Sequence, residues 1–218
     1  ELSLPINIKP FRMRTEEGWA SFLTGEGELR ALMEEEDREA VSERLVSRCA
    51  ELLSPAFADV AFELGHNGEK YELILTPEGD RSRLFQLAYF RQHAPRELLK
   101  SWNIKVGRTR SENFGLRIYG QDVALEDVRV WPEKTQNSSL NLKLYCEKLA
   151  PLMKENEGQV YNIIYILLDQ ALGELAAMRY VDRLEVLEAP AERESIPLNH
   201  LAGFVARQVD PEGWPRAN

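Results

Sequence analysis

The residue types that carry catalysis and metal binding are sparse in this chain. Histidine occurs only at His66, His93 and His200, and cysteine only at Cys49 and Cys146. The histidines fall in different predicted elements, no HExxH or CxxC spacing occurs, and neither cysteine has a histidine beside it. Zinc sites draw several such ligands from short spacings, so no metal is expected. His66 reads as exposed in a hairpin turn. His93 reads as a helix end, where a cationic imidazole suits the helix dipole. GxSxG, GxGxxG and GxxxxGK[ST] are also missing, so neither a nucleophile elbow nor a phosphate-binding loop is expected, and no cofactor with it.

The segment with most chemical content is LLDQALGE, residues 167–174. Asp169 and Glu174 are five residues apart, which on a continuous helix places them about 140° apart. Such a pair does not share a face, so the spacing lends no support to general acid–base work. The structural reading packs Leu168 and Leu172 inward, gives Gly173 a turn or a close backbone approach, and lets Asp169 or Glu174 hydrogen-bond nearby backbone. The enzymatic alternative is a hydrolase-like site assembled only by the fold, from Asp169, Glu174, His93 and Arg91. No residue is assigned a catalytic, cofactor-binding or metal-binding role.

Charge is the strongest asymmetry. The chain has 27 basic and 36 acidic side chains, a formal charge of −9. Residues 16–39 hold nine acidic and two basic side chains, whereas residues 81–110 hold eight basic ones and only Glu97 against them. The Glu34–Asp37 run lacks the glycine and spacing of a calcium loop and reads as a solvated helix end. The basic stretch, with Tyr89, Phe90 and Trp102, has the composition of a nucleic-acid surface. Its cations are dispersed, however, and the negative field of the whole chain repels polyanions. The expectation is no nucleic-acid partner, with the basic stretch lying near the acidic helices or solvated. An acidic protein suits a basic protein partner.

Behind these residues the hydrophobic pattern predicts an α+β protein. Residues 1–14 read as an extended arm. A helix starts at Thr15 and is expected to break at Gly25 and Gly27. Asp37 caps a second, amphipathic helix bearing Val41, Leu45, Cys49 and Leu52, stopped by Ser54-Pro55. The period then changes to two. Asp59–Leu64 and Lys70–Thr76 read as strands joined through an Asn67-Gly68 hairpin. A helix over Leu84–Phe90 and a strand through Trp102, Ile104 and Val106 complete a ββαβ order over 58–107. Further on, Gly115–Tyr119 and Val128–Trp131 read as strands separated by a turn at Gly120. Leu140–Leu144, a helix through Tyr161–Leu172 and a strand over Val181–Leu187 repeat the ββαβ order over 128–187. The two halves are expected to form an antiparallel sheet or sheets, which they can share, in one domain over 15–190, with the N-terminal helical pair packed on them and a tail over 191–218 carrying a short helix.

No apolar run reaches the length of a membrane span, and no membrane partner is expected. Two lone cysteines favour buried thiols in a reducing compartment, hence a cytoplasmic reading. The chain opens at Glu1 rather than Met, which leaves a removed signal peptide open. The sequence leaves the oligomeric state open.

The glycine-bearing hairpin, the helix ending at Ala94-Pro95, Trp102-Asn103-Ile104 and LLDQALGE ahead of an apolar strand together resemble a bacterial domain-of-unknown-function family, over roughly residues 15–190. That resemblance implies an α+β fold and a bacterial cytoplasmic setting, and brings no catalytic residue. Some small bacterial proteins of this general kind are immunity proteins beside toxins. The function expected is therefore a non-catalytic binding or regulatory protein, immunity-like.

Overall fold

The structure, a computed structural model, describes residues 9–111 and 113–214. The fold is α+β. The chain divides into two compact units, residues 1–106 and 107–218, where the sequence reading joins 15–190 into one domain. The first unit has one sheet and the second two, and each unit has its own apolar core.

The first unit opens with helices α1 (Phe11–Met33) and α2 (Arg38–Leu53). Of the expected arm, residues 1–8 lie outside the described residues. α1 starts at Phe11, before the expected Thr15, because the Phe11 ring packs 5.7 Å from Phe57 and 5.6 Å from Tyr89. Pro10 precedes the first turn, where a missing N–H costs nothing. The break expected at Gly25 and Gly27 does not occur. Gly25 is a contact surface instead, since a Cβ there would lie 2.7 Å from both Leu52 methyls. Asp37 caps α2 as expected, accepting from the Ala40 amide at 3.2 Å.

Strands β1 (Ala61–His66) and β2 (Tyr71–Thr76) form the expected hairpin. Asn67 Oδ1 accepts from the amides of Glu69 and Lys70, and Gly68 takes a φ of 95° that favours glycine. Helix α3 (Arg81–Gln92) then carries the chain to β3 (Trp102–Val106), parallel to β2. Their shared core holds Phe22, Leu73, Phe90 and Trp102, and Trp19 stacks on Phe90 at 4.0 Å.

In the second unit β4 (Gly115–Ile118) and β5 (Gln121–Ala124) form a small hairpin. The Gly120 turn thus leads into a strand absent from the sequence reading, because Gln121 and Asp122 are polar turn formers. Strands β6 (Arg129–Lys134) and β7 (Leu140–Tyr145) are antiparallel. Helices α4 (Ala150–Glu155), α5 (Glu157–Leu172) and α6 (Glu174–Tyr180) lead to β8 (Val181–Val186), parallel to β7. Both ββαβ orders are therefore present, but in separate sheets. The outer edge of β6 is taken by β9 (Ile196–Pro197), giving the order β8-β7-β6-β9. The expected tail is correspondingly part of the core: Leu198, Leu201 and Val205 are fully buried, the latter two on and just after α7 (Leu201–Phe204).

Candidate functional site

The α5–α6 junction brings together what a straight helix would keep apart. Gly173 adopts a φ of 84°, which ends α5 and lets α6 start at once in a new direction. Glu174, 2% exposed, accepts from the Arg108 amide through Oε2 at 2.9 Å. The Glu174 amide donates to the Arg108 carbonyl at 2.9 Å, and the Ser111 amide donates to the Gln170 carbonyl at 2.7 Å. The Arg108 guanidinium lies 3.7 Å from Asp169 Oδ2. Burial, reinforced by the charge of Glu174 and opposed by Arg108, pushes the Asp169 carboxyl up to about 6. The expected 140° separation is thus overturned by Gly173, and both carboxylates meet Arg108.

A carboxyl raised toward neutrality beside a second charge is what acid–base sites display, but structural clusters display it too. Here Glu174 is engaged with backbone, as the structural reading expected of one of the two carboxylates. The other two members of the enzymatic alternative belong to the first unit and are engaged there. Arg91 Nε donates to the Ile104 carbonyl at 2.9 Å. His93 Nδ1 lies 2.7 Å from the Tyr89 carbonyl, and its ring stacks on Tyr89 at 4.1 Å.

The thiols are equally quiet. Cys49 and Cys146 are both buried and unpaired with one another. Burial pushes the Cys49 thiol up to about 12 and raises that of Cys146, the opposite of nucleophile activation. Among the described residues no three His, Cys, Asp or Glu side chains are grouped to hold a metal. No described helix is long and apolar enough to cross a membrane.

Several charges of the two stretches pair locally. Glu26 binds Arg30, and Glu28 binds Arg48, within the α1–α2 pair. Among the cations of 81–110, Lys100 binds Glu97, Lys105 binds Glu72 and Arg83 binds Asp80. The basic stretch does lie near the acidic helices, as one of the two expected arrangements has it: Trp102 Nε1 donates to Glu26 Oε2 at 2.9 Å and Phe90 stacks on Trp19.

A further candidate is a groove of about 670 Å³ in the first unit, between the α1–α2 turn, α2 and the β1–β2 hairpin. Leu32, Met33, Val41, Leu45, Leu64 and Tyr71 give it an apolar lining. Glu34, Glu35 and Glu36 rim it, with Arg38 the basic side chain among them. These four are exposed. The Tyr71 hydroxyl donates to Glu34, a hydrogen bond that raises the hydroxyl's own proton affinity and ties the acidic turn to the hairpin end of the sheet. The acidic run is exposed, as expected of a solvated helix end. Val41 and Leu45 stay only half covered, for which the available signal in the sequence is an amphipathic helix beginning directly after that run.

Comparison of the chain with protein-family models, with curated proteins and with solved structures gives no match.

Proposed function

We propose that this chain is a non-catalytic binding protein of the bacterial cytoplasm, immunity-like in mode, whose partner is a basic polypeptide. The observation that supports the reading is the groove beside α2, which sets a carboxylate rim on an apolar lining. Apolar surface supplies affinity, while the rim selects and steers a cationic partner. A net charge of −9 acts in the same direction and against nucleic acid.

The test is a titration of the full chain against a labelled lysine-rich peptide, a glutamate-rich counterpart and duplex DNA, followed by anisotropy. Binding is expected for the basic peptide alone, weakened by salt and by the combined Glu34→Gln, Glu35→Gln and Glu36→Gln variant. Equal binding of the variant, or tight binding of DNA, overturns the proposal. The alternative, an enzyme working through Asp169, Glu174 and His93, has one observation in its favour, the raised Asp169 carboxyl. Engagement of Glu174 with backbone weighs against it.

A further inference from the structure

The pairing register of the hairpin says more about this groove. Asn67 donates its amide to the Lys70 carbonyl, and the register pairs Gly65 with Glu72 and Glu63 with Ile74. In an antiparallel ladder hydrogen-bonded pairs recur at every second residue. Gly65 and Glu63 therefore bond to β2, whereas the N–H and C=O of Leu64 and His66 point the other way. The strand order β1-β2-β3 gives β1 no neighbour on that side among the described residues. Leu64, Gly65 and His66 are also lining residues of the groove, facing Val41 and Leu45 across it.

We infer that the groove takes an extended basic segment of a protein partner as an added strand on β1. The inference rests on the binding reading above and specifies its mode. An extended chain would meet the outward backbone groups of Leu64 and His66, satisfying hydrogen-bonding groups that a sheet edge otherwise leaves to water. Every second side chain would enter the apolar space beside Val41 and Leu45. At the hairpin end Tyr71 holds Glu34, so lysine or arginine at that end of the segment meets the carboxylate rim. Arg38 on the same rim opposes a cation beside it, but the three glutamates outnumber it and leave the rim net negative. A helical or globular basic ligand would use the rim but leave the edge unpaired.

The probe is a labelled peptide of alternating threonine and valine with paired lysines at both ends, titrated into the full chain. Two further peptides carry N-methyl groups on all the valines or on all the threonines. Charge and side chains are kept, but one of the two loses the amides that face β1. We expect the parent to bind, one methylated form to bind about tenfold or more weakly, and the other to match the parent. Hydrogen exchange should slow at the Leu64 and His66 amides on binding, leaving Glu63 and Gly65 unchanged. If both methylated forms bind like the parent, strand addition is wrong while the basic-partner reading stands. If the parent fails to bind at all, both fall. If the free chain sediments as a dimer that the parent peptide cannot dissociate, a second copy occupies the edge and the inference is overturned.

Discussion

Arg108 and Glu174 hold each other by two opposed contacts: the Arg108 amide donates to the Glu174 carboxylate, and the Glu174 amide donates to the Arg108 carbonyl, each at 2.9 Å. The side chain and backbone of one buried residue thus act as a short surrogate strand for the segment entering the second unit. Glu174→Ala leaves the Arg108 amide without that acceptor. Urea unfolding is expected to show a loss of about 1–3 kcal/mol. Glu174→Gln keeps an acceptor oxygen and should recover much of the loss. Equal loss in both variants would show that charge, not the acceptor, matters here.

Asp169 makes stability depend on pH with a defined sign. Its carboxyl is raised in the fold from the ordinary 3.8 to about 6, so the native state binds its proton more tightly than the unfolded chain. The contribution of Asp169 is therefore greatest below the unfolded value and lost as pH rises through about 6. Asp169→Asn should stabilise the chain by about 1 kcal/mol near neutral pH, after allowance for the side chain's partial exposure. That gain should disappear in acid, below the unfolded carboxyl value. A pH-independent effect in thermal melts would contradict this account.

Gly18 and Gly27 lie on one helix and should respond to alanine in opposite directions. At Gly18 a Cβ would meet the Ala56 Cβ at 2.7 Å and the Ala56 amide nitrogen at 3.4 Å. Gly18→Ala is expected to destabilise by about 1–3 kcal/mol through overpacking. At Gly27 the nearest atom to a Cβ is an Arg30 guanidinium nitrogen at 3.8 Å. Gly27→Ala should therefore gain up to about 1 kcal/mol of helix propensity. Melting temperatures of the two variants decide it.

Both thiols should be silent toward an aromatic disulfide reagent in the native chain and react once urea unfolds it. Burial alone accounts for the elevation at Cys49, where the thiol is pushed up to about 12, so raising the pH moderately should not restore reactivity. Fast native labelling at either position would show that its core opens locally.

What could be read from residues alone was whatever is local. The Asn67-Gly68 turn, the Asp37 cap and the apolar faces of α2 and α5 each carry their cause within a few residues. What failed was non-local. Gly25 breaks a helix by propensity, but the approach of Leu52 gives it a packing role that outweighs the propensity cost. The sheet edge is non-local as well: nothing between Val128 and Leu187 reveals that Ile196 and Pro197 will take the edge of β6. The carboxylate pair is hidden for a third reason: a 140° separation holds only on an unbroken helix, and Gly173, through its positive φ, breaks it. The groove combines two such non-local facts, a β1 edge with no neighbouring strand among the described residues and a helix face left half covered.

The position of β9 has a consequence for how the chain is made. The first unit has its whole sheet once Val106 is synthesised. The second cannot close its sheet until Ile196 and Pro197 reach Arg129 and Val130, nor complete its core until Leu198, Leu201 and Val205 follow. Domains acquire structure in order of emergence from the ribosome. During translation, then, a finished first unit precedes a second half whose Val128 and Val130 must wait for residues more than sixty positions downstream. The growing chain passes through a stage in which one half is folded and the other still exposes the strand that its last segment will cover.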